Sequence, residues 1–130
     1  MSRDVYSGNL KLHGEEHEQT LVAANNYADA LSSLEHYAEA KALLGKVTPV
    51  ARRVLGEGHR LALKMWLVYA QAIYNDDSAT LGDLREAVTT LEDTARTARR
   101  VLGSAHPSTA GIELALRYAR ATLRAREASA

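Results

Sequence analysis

The chain has no cysteine, no phenylalanine, two prolines in 130 residues and no net charge. Without cysteine there is no disulfide scaffold and no thiolate metal site, which is compatible with a reducing, cytoplasmic setting. Its 16 basic residues are matched by 16 acidic ones. That balance excludes the global basic footprint of a nucleic-acid binder, so nucleic acid is not an expected partner. It also excludes the charge excess of an acidic disordered chain. No apolar run approaches the roughly 20 residues that span a bilayer, and neither a signal-peptide pattern nor a lipidation motif opens the sequence. No membrane partner is expected.

What is present is a composition 46% hydrophobic and 25% charged, rich in alanine, leucine, arginine and glutamate. Such a composition favours helices, and the length suffices for one domain with a sizeable core. The stretch ARRVLGEGH, Ala51 to His59, recurs as ARRVLGSAH from Ala98 to His106, and more weakly as LHGEEH from Leu12 to His17. Gly14, Gly56 and Gly103 step by 42 and then 47 residues, and so do His17, His59 and His106. A recurrence of this size predicts a helical repeat array.

Apolar residues at steps of three and four predict the helices. Leu21, Ala24, Tyr27, Ala28, Leu31 and Leu34 mark the first. After a short break at Glu35 and His36, Tyr37 to Leu55 carries the second, and so short a break implies an antiparallel hairpin. Pro49 lies inside that second helix. Periodicity continues past it, so a kink near Gly45 to Pro49 is expected in place of an end; a functional hinge is the alternative. Leu63, Trp66, Tyr69, Ala70 and Ile73 begin a second hairpin. The turn-rich stretch Asn75 to Gly82 leads to its return helix, Leu84 to Leu102. Pro107 suits the first position of a last helix that runs to about Arg126. Arg52 and Arg53, like Arg99 and Arg100, complement a helix dipole before a glycine expected to adopt the left-handed stop. Residues 1–13 are read as an N-terminal loop or partial helix. Residues 14–126 are one repeat domain, with repeats at about 14–55 and 56–102 and a half repeat at 103–126. Residues 127–130 are a tail.

These segments resemble the tetratricopeptide repeats of kinesin light chains and their relatives, whose pattern runs LG-x-x-HP-x-T-L, NNLA, a glycine, Y-x-E-A and VLG. The first repeat here reads LHGEEHEQTL, AANNYADAL, HYAEA and ARRVLG; the second reads VLGEGHRLAL, MWLVYAQAI, GDLREA and ARRVLG; the third retains VLGSAHPSTA and one helix. The resemblance covers about residues 12 to 126. Trp66 stands where such repeats often carry tryptophan, and Ala28, Ala40, Ala70 and Ala87 where small residues let paired helices approach. Glu35 replaces a loop glycine, Glu18 and Arg60 replace a proline, and Leu67-Val68 and Leu114-Ala115 replace the asparagine pair kept at Asn25-Asn26. Glu113 and Arg117 fall where buried residues are expected, so the last helix is either rotated or a partly solvated cap.

The resemblance implies an all-α, right-handed array of helical hairpins, two hairpins plus one terminal helix. It further implies a concave groove that holds a peptide or protein partner. Carried over residue by residue, the groove positions are Val22, Asn25, Asn26, Asp29, Ser33, Lys64, Leu67, Val68, Gln71, Asn75 and Tyr118. Asn25 and Asn26 both donate and accept, so they suit a peptide backbone, although simple solvation accounts for them equally.

Little else suggests chemistry. His17, His59 and His106 occupy equivalent places in successive repeats, which stacking holds roughly 8–10 Å apart, too far for one metal. A helix-start or inter-repeat hydrogen bond is the expected role. Asp76-Asp77 lacks the glycine and distal glutamate of a calcium loop. No nucleophile–base set and no phosphate loop is visible. No metal, no cofactor and no catalytic residue is therefore expected. Arg117, Arg120, Arg124 and Arg126 gather near the C-terminus, as a polar cap or as a seat for an acidic partner. The expected function is a non-enzymatic scaffold or adaptor. The alternative is a structural subunit that docks through its ends or convex face; an enzyme accessory domain comes third. Two full repeats are fewer than usual, so self-association through open ends is also expected.

Overall fold

The computed structural model describes residues 2–129 as six helices, with no strand among them. They are α1 Ser2–His13, α2 Glu18–Ser33, α3 Tyr37–Leu55, α4 Arg60–Tyr74, α5 Leu81–Leu102 and α6 Pro107–Ser129. The hairpins α2–α3 and α4–α5 and the single α6 are the expected all-α array.

Two stretches differ from expectation. Residues 2–13, expected as a loop or a partial helix, are helical throughout, despite Gly8 and Asn9. Tertiary contact compensates their poor propensity. Tyr6 is buried, its ring 6.1 Å from that of Tyr27. The Asn9 carbonyl accepts from the Thr20 hydroxyl at 3.1 Å. The expected tail is likewise helical through Ser129, because α6 continues past Arg126. The Arg126 guanidinium donates to the carbonyls of Ala79 and Asp77, which holds α6 against the loop between α4 and α5. Met1 and Ala130, the outermost residues of those two stretches, lie outside the described residues.

The repeated joint works through its histidines. The Nδ1 atoms of His17, His59 and His106 accept from the backbone N–H groups of Gln19, Leu61 and Ser108, at 3.1, 3.1 and 3.0 Å. Each satisfies one orphan donor at a helix start, where Ser or Asp more commonly serves. The glycine before each joint corrects the expected left-handed stop. Gly56 has φ 103° and ψ 150°, and Gly103 has φ 89° and ψ 156°. That combination of positive φ with extended ψ is open essentially to glycine alone. Left-handed termination occurs instead at Glu35, φ 61°. There the His36 N–H bonds the Leu31 carbonyl and the Glu35 N–H bonds the Ser32 carbonyl, a Schellman motif without its glycine.

Helix α3 runs through Pro49, as the periodicity predicts. Helix α5 starts earlier than expected, with Gly82 in its first turn, because Thr80 and Asp83 form a capping box. The Lys41 ammonium lies 3.1 Å from Asp83. Hydrogen bonds from Thr80 and Lys41 hold the Asp83 carboxyl below the usual carboxylate range.

One apolar core runs through all six helices. Alanines dominate its contacts: Ala24, Ala28, Ala51, Ala62, Ala70, Ala87, Ala95 and Ala98 are fully enclosed or nearly so. They let helix axes approach closely around Leu21, Leu44, Met65, Ile73, Leu84 and Leu91, each worth about 1.5–3 kcal/mol on burial. A Cβ on Gly58 would lie 2.7 Å from Val101 Cγ2, so only glycine lets the end of α5 settle against the α3–α4 turn. The Tyr69 hydroxyl donates to Glu86 at 2.6 Å. Burial, then that carboxylate, pushes the phenol above its ordinary range. The backbones of α2, α4 and α6 approach one another in succession, whereas those of α1, α3 and α5 stand further apart, and α3 reaches α5 through the Lys41–Asp83 pair. The outer layer is splayed relative to the inner one, so the array is concave on the α2–α4–α6 side.

Candidate functional site

The inner helices present the expected groove positions at three depths. Val22, Asn26, Ser33, Lys64, Asn75 and Tyr118 are exposed; Asp29, Leu67 and Gln71 are half-buried; Asn25 and Val68 are buried. Repeat geometry explains the split. Val68 and Ala115 each face an inner helix that precedes them, and both are buried; Asn26, their equivalent in α2, has none before it and is exposed. The opposite side follows the same logic. Asn25 is 3% exposed next to α4, Leu67 is half-buried next to α6, and Leu114, which no described inner helix follows, is 47% exposed. Asn25 is therefore packed between repeats, with its Oδ1 buried and unpaired. It is not displayed for a peptide backbone, and only Asn26 of the pair is. The Lys64 ammonium lies 3.7 Å from Asp29 and ties α4 to α2 across the groove.

Between α4 and α6 the groove deepens into a cavity of about 430 Å³, lined by Leu63, Lys64, Leu67, Leu102, Gly111 and Ile112 with Arg60, Pro107 and Ser108 at the rim. Gly111 opens it. The equivalent residues in α2 and α4 are Val22 and Lys64. Of the residues that form this cavity, the sequence reading named Lys64 and Leu67 and missed Gly111, Leu102 and Ile112. The signal was present, since Gly111 is the smallest of the three equivalents. A second groove-side cleft, about 570 Å³, lies at the first end between Val5, Asn9, Val22 and Asn26. On the outer side, about 410 Å³ of space between α3 and α5 has Trp66 in its lining, with Arg52, Glu57, Asp93 and Arg100 around it.

Among the described residues no group of three His, Asp or Glu side chains could hold a metal ion. His13 and His17 stack, with ring centroids 4.3 Å apart. No described helix is long and apolar enough to cross a membrane. The paired arginines of the joints form exposed ion pairs, Arg52 with Glu57, Arg53 with Glu16 and Arg99 with Glu113, at 3.2, 2.7 and 3.2 Å. Solvent and salt screen pairs this exposed, so they add little to stability.

The search of curated proteins finds no match for this chain. A family model described as tetratricopeptide repeat matches residues 20–61 and 78–108, more than half of the sequence. The first match spans the hairpin α2–α3 and the second spans α5 and the start of α6, and the chain belongs to the tetratricopeptide repeat family.

Proposed function

We propose that this protein is a non-catalytic adaptor of the kinesin light chain-like, 42-residue-repeat type, acting in the cytoplasm. It holds a peptide or protein segment in the groove formed by α2, α4 and α6. Tetratricopeptide repeats serve protein–protein interaction, and the 42-residue step from Gly14 to Gly56 supports the long-repeat subgroup. The observation that carries the reading is the apolar cavity opened by Gly111. It has the size and lining of a pocket for one large apolar side chain. Leu63 and Ile112 form its walls, and Arg60 stands ready for an acidic neighbour in the ligand. Around it Lys64, Leu67, Gln71 and Tyr118 contact the rest of the segment, with Val22, Asn26, Asp29, Ser33 and Asn75 further along. Asn25 and Val68 support this surface from beneath.

The test is selection of a displayed random peptide library on the purified chain, followed by affinity measurement on Gly111→Leu. A Cβ at Gly111 meets nothing within 4 Å, so the added side chain starts in open space, and circular dichroism checks the fold. Selected peptides should share one large apolar residue and lose about tenfold or more in affinity, roughly 1.4 kcal/mol. Equal binding to the variant would remove the cavity from the mechanism.

A second reading, a structural subunit that docks or self-associates through its ends, is favoured by the exposure of Val5, Val22, Leu114 and Tyr118. Light scattering across a concentration series tests it. A monomer at every concentration counts against end-to-end assembly.

A further inference from the structure

The outer side of α6 differs in chemistry from the equivalent sides of α2 and α4. The residues there are Ala24, Ala28 and Leu31 in α2, and Trp66, Ala70 and Ile73 in α4. Of these six, all but Trp66 are buried. In α6 the same positions are Glu113, Arg117 and Arg120. They line an open cleft of about 560 Å³ together with Glu92, Arg96 and Arg99 of α5. Relative to α4, the corresponding space is closed by α5, which packs there with Leu84, Ala87, Leu91, Ala95 and Ala98 buried. No described helix covers it on α6. An apolar face such as that of α5 would desolvate these charges without pairing them.

The charges are not balanced within the cleft. Glu113 is 3.2 Å from Arg99, and Glu92 is 3.0 Å from Arg120, so both carboxylates are already neutralised. Arg96 pairs with Asp93 at 2.9 Å. Arg117 forms no ion pair among the described residues, and neither does Arg124 about two turns further along. Arg117, Arg120 and Arg124 are spaced three and four apart, one stripe on a helix surface. Beside the stripe, Leu114 is 47% exposed.

We infer that this cleft is a second docking surface, separate from the groove, and that its occupant is an acidic amphipathic helix of a partner protein. The space is one that a helix fills elsewhere in the same molecule. Carboxylates at steps of three and four on that helix would meet Arg117 and Arg124, and an adjacent apolar edge would cover Leu114. Nucleic acid suits the cleft less well, because Glu92 and Glu113 stand among the arginines and would face its phosphates.

The experiment uses the whole chain and a labelled synthetic helix of about 20 residues, some 30 Å long. One form of the peptide carries glutamates along one stripe and leucines beside them, and its counterpart replaces each glutamate with glutamine. A single-stranded oligonucleotide of similar length and charge is the third probe. Fluorescence anisotropy should show binding of the glutamate peptide, about tenfold or more weaker binding of the glutamine form, and weakening with salt. The double variant Arg117→Glu/Arg124→Glu should abolish the binding. Both side chains are exposed and unpaired, and circular dichroism checks that the variant folds. Gly111→Leu should leave this binding unchanged, which separates the cleft from the groove. The inference is overturned by absence of binding, by equal binding to the arginine variant, or by an oligonucleotide that binds more tightly than the glutamate peptide.

Discussion

At the scale of single residues, helix ends decide much of the stability of this array. Glu35 holds φ 61° within a Schellman motif, a conformation that costs a non-glycine residue about 1–2 kcal/mol. Glu35→Gly should therefore raise the free energy of unfolding by about 1 kcal/mol, whereas Glu35→Ala should not. Urea titration of both variants is the measurement, and a loss of stability in the glycine variant would contradict the cap geometry. Asp83 sets a pH dependence. Its carboxyl pKa is lowered in the folded state by Thr80 and Lys41. The stability it contributes is complete above the unfolded carboxylate value and is lost as pH falls through the folded one. Asp83→Asn should be less stable than the parent at neutral pH, and the gap should close in acid. A gap that persists in acid would assign the effect to packing.

At the scale of elements, α3 and α1 show opposite departures from propensity. In α3 the sequence alone indicates continuation through Pro49, because Val50, Ala51, Val54 and Leu55 keep the apolar period. The structure keeps Ala51 buried and Pro49 exposed. Pro49→Ala restores a backbone donor to the Gly45 carbonyl and should stabilise the protein by about 2 kcal/mol with unchanged helix content. A drop in stability would instead make the proline a packing element. In α1 the local signal points to a loop or a partial helix, and docking on α2 overrides it. Tyr6→Ala should cost about 2 kcal/mol and accelerate amide exchange throughout α1. Exchange confined to its first turn would show that Thr20 and Asn9 suffice to hold the helix.

At the scale of the whole molecule, curvature and exposed edges decide where partners meet the chain. Splayed outer helices make the inner face concave, and Gly111 opens its cavity between α4 and α6. The carried-over groove positions were assigned by repeat register, and register places a residue on a helix face without saying which neighbour covers it. Asn25 and Asn26 are adjacent in sequence yet one is buried and the other exposed. The same limit applied to the C-terminal arginines. Sequence grouped Arg117, Arg120, Arg124 and Arg126 together, but Arg126 grips a loop and Arg120 pairs with Glu92, which leaves Arg117 and Arg124 facing solvent.

Sequence by itself determined the helical class, the two hairpins and the step of the repeat, and it narrowed the histidines to a helix-start or inter-repeat hydrogen bond. Those are matters of local periodicity and of groups a few residues apart, and the signals repeat. Tertiary structure alone decided that residues 2–13 fold, that α6 carries a charged side toward an open cleft, and that a missing side chain at Gly111 makes a cavity. Each of these depends on which surfaces meet across 10 to 50 residues of chain, and burial there outweighs local propensity by a few kcal/mol.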